Sequence, residues 1–159
     1  MAPKRVLKEC HVFDELDDSE MERMAAICEP REYEAGATVF SAGSPADALY
    51  VVDQGKVALQ MDLPGPGAQG SRRVTVDVVT RGEVFGWSAA AVPHRYTLTA
   101  MCLEPTKVLA IDSARLGALL QGDYRIGFKV MVQLVGVVAS RLDETRRVLV
   151  SERLVSLQR

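Results

Sequence analysis

The chain is poor in the residues that most often carry chemistry: two histidines, one tryptophan and three cysteines in 159 residues. Cys10, Cys28 and Cys102 are odd in number and widely spaced, which excludes a disulfide framework or a zinc site and points to reduced thiols in a cytoplasmic protein. No apolar run reaches the roughly 18 residues of a membrane span. Met1-Ala2-Pro3-Lys4-Arg5 is followed by no apolar stretch, so neither a signal peptide nor a membrane association is expected. Charge of one sign is lacking too. The formal net charge of −2 gives no global basic field to attract nucleic acid. No paired carboxylates, nucleophile–base pair or metal-ligand set stands at credible spacing, and the chain reads as a binding protein rather than an enzyme.

Proline is absent after Pro105, and the turn glycines cluster between Gly36 and Gly86. That division predicts a β-rich body followed by a helical tail. At this length one domain is expected, with residues 1–122 forming the body and 123–159 a helical segment of the same domain. Leu16-Asp17-Asp18-Ser19-Glu20 supplies N-cap candidates ahead of Met21, Met24, Ala25 and Ile27, predicting an amphipathic helix over about 18–28 that Pro30 ends. Strands are expected at 37–40, 48–52, 56–61, 73–78, 96–102 and 106–111. In the third of these Val57, Leu59 and Met61 alternate with polar or small residues, as a strand with one buried face should. Leu63 to Gly70 reads as a flexible hairpin loop. Short strands at this spacing argue for a sandwich, roll or barrel.

From Ser113 to Leu120 a short helix is expected, closed by Gly122, and from about Asp123 to Leu154 one or two more. Met131, Val135, Val138, Leu142, Thr145 and Leu149 advance by alternating steps of four and three, a heptad seam of under three repeats. It has two readings: packing on the chain's own body, or the interface of a homodimer.

The most informative segment runs from Gly82 to Thr99. A turn glycine, a short strand, a second glycine and then small residues suit helix initiation at Trp87 to Ala91. Helix starts present unpaired N–H groups, and Gly86 lets a ligand approach closely, so the segment reads as a cradle for a small anion. Pro93 stops the helix. His94 and Arg95 follow, where a guanidinium could close over the same anion; the alternative is a tight turn with a surface arginine.

Three blocks fall in a fixed order: Gly43-Ser44-Pro45-Ala46-Asp47-Ala48-Leu49-Tyr50-Val51-Val52-Asp53-Gln54-Gly55-Lys56-Val57, then Gly82-Glu83-Val84-Phe85-Gly86, then Leu103-Glu104-Pro105-Thr106-Lys107-Val108-Leu109-Ala110-Ile111-Asp112. In order and spacing they resemble the cyclic nucleotide-binding domain family over roughly residues 12 to 150. The resemblance implies a mainly β fold with helices: an eight-stranded β-roll (a double-stranded jelly roll) with a short N-terminal helix and a long C-terminal dimerisation helix. It also implies that the isolated segment is the family's phosphate-binding cassette, and that the long helix covers the base. Phe85, Gly86, Trp87, Ser88, Ala89, His94, Arg95, Tyr96 and Thr97 are the candidate ligand residues of that cassette. Thr145 matches a threonine that contacts adenine, with Arg146 beside it where the family has a small hydroxyl residue.

The cassette departs from the family pattern at two places. Trp87 stands where a glutamate accepts the ribose 2′-hydroxyl, and the indole N–H cannot accept. His94 stands where an arginine pairs with the cyclic phosphate, with Arg95 one residue later and, along a regular strand, on the opposite face. Each lost charge-assisted bond costs roughly 1.5–3 kcal/mol, about ten- to a hundredfold in affinity. Weakened or altered cyclic AMP binding is therefore expected. Trp87 either stacks on a planar ligand or plugs the cavity, and Thr145 is either a base contact or a polar break in the heptad seam.

The expected function is that of a regulatory ligand sensor for a cyclic nucleotide (cyclic AMP or cyclic GMP) or another small anionic effector. The alternative is a ligand-independent homodimerisation or protein-interaction module. A downstream protein partner is implied but not identified. A metal-dependent cupin needs several histidines, whereas His11 and His94 lie far apart. The tail from Asp123 to Arg159 carries seven basic and four acidic residues and reaches its end with no recognition helix or basic wing, so no direct DNA binding is expected.

Overall fold

A computed structural model describes residues 2–64 and 71–158. Two helices come first, α1 (Ala2–Lys8) and α2 (Asp18–Ala25), followed by eight strands and two further helices. The strands are β1 (Cys28–Tyr33), β2 (Thr38–Phe40), β3 (Ala48–Gln54), β4 (Val57–Pro64), β5 (Ser71–Val79), β6 (Val84–Phe85), β7 (Thr99–Cys102) and β8 (Thr106–Asp112). A short 3-10 helix, Trp87–Ala90, lies between β6 and β7. α3 (Ser113–Gly122) and the 34-residue α4 (Tyr124–Leu157) close the chain.

The strands form two antiparallel four-stranded sheets, ordered β1-β8-β3-β6 and β2-β7-β4-β5. β3 lies between β8 and β6, and Ala48 to Val52 are all buried, as a central strand covered on both faces requires. The core runs between the sheets and continues under the N-terminal segment, where Leu7, Val12, Phe13 and Met24 are buried. The eight-stranded roll with a long C-terminal helix is thus the architecture present. The 123–154 helical stretch is one continuous helix, extending to Leu157.

Several local expectations need correction. α2 ends at Ala25, short of residue 28, and Pro30 breaks no helix but sits inside β1. β1 is an edge strand, where a residue without an N–H is tolerated. α1 was not anticipated. The strand expected over 96–102 begins only at Thr99; before it, Arg95 makes an isolated bridge to Pro45. Leu63 and Pro64 belong to β4 rather than to a loop, and 65–70 lie outside the described residues.

The expected alternation in β4 also fails. Val57 to Gln60 are all buried and Met61 is exposed. A register shift between Leu59 and Gln60 interrupts the β4–β5 pairing; past it apolar residues such as Met61, Leu63 and Val74 face solvent, and Val76 and Val78 on β5 are exposed as well.

Candidate functional site

β6 is pinned to β3 by the pairs Tyr50↔Phe85 and Val51↔Val84, which fixes the start of the cassette against the core. Gly86 follows at φ +76° and caps the 3-10 helix. A Cβ here would lie 3.2 Å from both Phe40 Cε2 and Tyr96 Cε1. Conformation and space both favour glycine here. Helix initiation thus occurs where expected, but as a single tight turn ending at Ala90 rather than Ala91.

The cassette side chains fill the hollow in front of that turn. Tyr96 is buried and stacks on Phe40, with centroids 3.6 Å apart and planes 10° apart. Its hydroxyl donates to the Ala48 carbonyl (2.6 Å) and accepts from the Ala48 N–H (3.1 Å). Burial pushes this phenol well above its ordinary pKa, and pushes Tyr50, two rings away through Phe40, up to about 12. The void left between Phe40, Leu59, Gly86, Trp87, Ser88, Tyr96, Thr97 and Leu98 is about 20 Å³. Small-molecule pockets run to about 300–1,000 Å³.

The two candidate cations point elsewhere. His94 has φ +60°, so the chain is irregular where a strand start was expected; its Nδ1 lies 3.3 Å from the Ala89 carbonyl. The Arg95 guanidinium donates to the Gly43 carbonyl at 2.9 Å. On α4, Thr145 donates back to the Arg141 carbonyl one turn earlier, and both Thr145 and Arg146 are exposed. The structure therefore gathers Phe85, Gly86, Trp87, Ser88, Ala89, Tyr96 and Thr97 at the cassette. It leaves His94 and Arg95 tied to backbone carbonyls and sets Thr145 and Arg146 on the outer half of the helix.

Sequence reasoning missed Arg141. Its guanidinium stands 4.7 Å from the Trp87 ring centroid, donates to the Val84 carbonyl, and lies 3.7 Å from Asp77 Oδ2. Burial lowers its pKa, an effect opposed by the carboxylates of Asp77, Glu83 and Glu144. Its Nη1 is buried without a partner. Arg141 also borders a cleft of about 320 Å³, lined by Cys10 to Val12, Asp77, Gly82 to Val84 and one stripe of α4 from Gln133 to Glu144. Burial raises the Cys10 thiol there to about 11, so it is no ready nucleophile. No group of His, Cys, Asp and Glu among the described residues could hold a metal ion.

A roll of two four-stranded sheets, a glycine-led cassette turn and a long helix crossing it make the fold of a regulatory ligand-sensing module. The chain belongs to the cyclic nucleotide-binding domain family, whose sequence profile matches residues 30–123, more than half of its length. It is 28% identical over 119 residues to a Rhodopseudomonas palustris protein named as a potassium channel, covering 75% of this chain and 27% of that one. It is 24% identical over 140 residues to the CRP-like cAMP-activated global transcriptional regulator of Mycobacterium tuberculosis, covering 88% of this chain and 58% of the regulator. It thus spans only part of either relative. Among solved structures, a cyclic nucleotide-binding domain from Methylobacillus flagellatus superposes with a TM-score of 0.81 at 17% identity, over 95% of this chain and 84% of that one, a likeness of fold alone. No helix among the described residues is long and apolar enough to cross a membrane.

Proposed function

We propose that this chain is a regulatory module whose cassette is occupied by its own side chains, so that cyclic AMP and cyclic GMP bind weakly, and whose output runs through α4 in a homodimer. The observation that carries the reading is that only about 20 Å³ is left in front of Gly86, between side chains that include Tyr96 and Trp87. Two features reinforce it: Trp87 brings no acceptor for a ribose hydroxyl, and the Arg95 guanidinium is already engaged with Gly43. Cys10, Cys28 and Cys102 are free thiols, which supports a reducing compartment, the cytoplasm. The dimer reading rests on the exposure of Met131, Val135, Leu142 and Leu149 along α4. Ile126, Val130 and Leu134 on the neighbouring face are buried against the body.

Titration calorimetry with cyclic AMP and cyclic GMP tests the cassette. The wild-type chain should bind neither more tightly than about 100 μM, since two contacts worth about ten- to a hundredfold each are missing. The double variant Trp87→Glu/His94→Arg should gain at least about tenfold. Micromolar binding by the wild type, with no gain in the variant, overturns the proposal.

A further inference from the structure

The roll-facing stripe of α4 runs Ile126, Val130, Leu134, Val137 and Arg141, at steps of four, four, three and four. The first three are buried and Val137 packs against the core. Arg141 is the last residue of the stripe with a hold on the body; from Leu142 to Leu157 every residue is exposed. Those sixteen residues carry the helix about 24 Å beyond its last anchor. The direction in which they leave is therefore set at one side chain.

That side chain is held by groups far away in the sequence. The Arg141 guanidinium lies over the Trp87 ring, donates to the Val84 carbonyl at the start of β6, and faces Asp77 on β5. Its side chain is only 14% exposed. A cation over an indole face is attracted by the ring quadrupole, more strongly when water is excluded. All three partners belong to the chain itself, so the contact needs no bound molecule to form. Trp87 is also a wall of the 20 Å³ hollow and of a separate groove of about 160 Å³ under Met131, Leu134, Val135 and Val138. One ring thus touches the cassette hollow, α4 and the arginine.

We propose that Arg141 and Trp87 form a self-contained clasp that fixes where α4 leaves the roll, and that displacing the Trp87 ring from the guanidinium is the event that frees the outer half of the helix. Arg141 acts here as a positioning residue. The clasp goes beyond the proposal about nucleotide affinity and does not depend on it, because it is tested in the chain with nothing added.

Hydrogen exchange on the full chain reads it directly. Arg141→Ala and Trp87→Leu should each speed exchange of the α4 amides over residues 134–145 by about tenfold. β3 and β8 should stay as protected as in the wild type. The double variant should be slower than the product of the two single effects, because both changes remove the Arg141–Trp87 contact. Arg141→Lys, which keeps a cation but loses the planar fork, should fall between. Single-variant effects that multiply in the double, or unchanged exchange in α4, overturn the clasp. If Arg141→Ala also exposes β3 and β8, Trp87→Leu and Arg141→Lys decide: unchanged α4 exchange in both overturns it equally.

Discussion

Gly86 is held at φ +76°, with Phe40, Tyr96 and the Ala48 carbonyl all within 3.3 Å of where a Cβ would stand. Gly86→Ala should therefore cost about 2 kcal/mol in urea unfolding, from the left-handed backbone and the crowded space together. A loss below a few tenths would mean the cassette turn relaxes freely. The importance of this glycine was legible from the order strand, glycine, small residues. The neighbouring side chains were legible only in part. Trp87 announced itself by standing where the family has a glutamate. Arg141 gave no such signal: its partners Asp77, Val84 and Trp87 lie more than fifty positions earlier, and a lone arginine between Ser140 and Leu142 looks like any solvated helix residue. Burial of a charge is decided by tertiary geometry, which local pattern does not encode.

Among the elements, α2 and α4 are joined through Glu20. Its carboxylate receives the Asp17 N–H at 2.9 Å and completes a capping box at the start of α2. The same carboxylate meets Lys129 Nζ at 2.6 Å, with Glu20 almost wholly buried and Lys129 mostly so. A second tie links Asp123, the N-cap of α4, to Arg23 at 2.6 Å; that bond, then the Ile126 N–H, holds the Asp123 carboxyl below the usual range. Glu20→Ala removes a cap and strands a mostly buried ammonium, so a destabilisation of about 2 kcal/mol is expected in urea unfolding. Glu20→Gln, which keeps the cap, should lose less; equal losses would assign the whole effect to the lost charge pair with Lys129. The start of α2 was readable from Asp17 and Glu20, but its end was not, because Pro30 reads as a breaker until β1 is known to be an edge strand. α1 was hidden for another reason: only Val6 and Leu7 mark its buried face, too few for a period to show. β3 and β8 were clear because both faces are covered and their runs are almost wholly apolar.

For the molecule as a whole, the exposed apolar residues concentrate on α4 and the outer β4–β5 hairpin. A free-standing helix projecting about 24 Å with Leu142 and Leu149 half exposed is poorly satisfied in water. A second copy covering the seam is the arrangement proposed above. Sedimentation equilibrium at micromolar concentration should give a dimer for the wild type. Leu142→Asp/Leu149→Asp should give a monomer whose melting temperature follows that of the roll. A monomeric wild type would remove the homodimer from the proposed function while leaving the cassette and the clasp untouched. The heptad steps marked a candidate seam on α4, but not that the body takes the adjacent stripe of Ile126, Val130 and Leu134, since Val130 and Met131 are both apolar. Trp87, finally, is the sole tryptophan of the chain, and it stands where cassette, helix and guanidinium meet. The intrinsic ultraviolet emission of the whole protein is therefore dominated by one site, and that site is the junction on which its signalling is proposed to turn. The chain carries its own optical reporter, with no label to attach and no second indole to subtract.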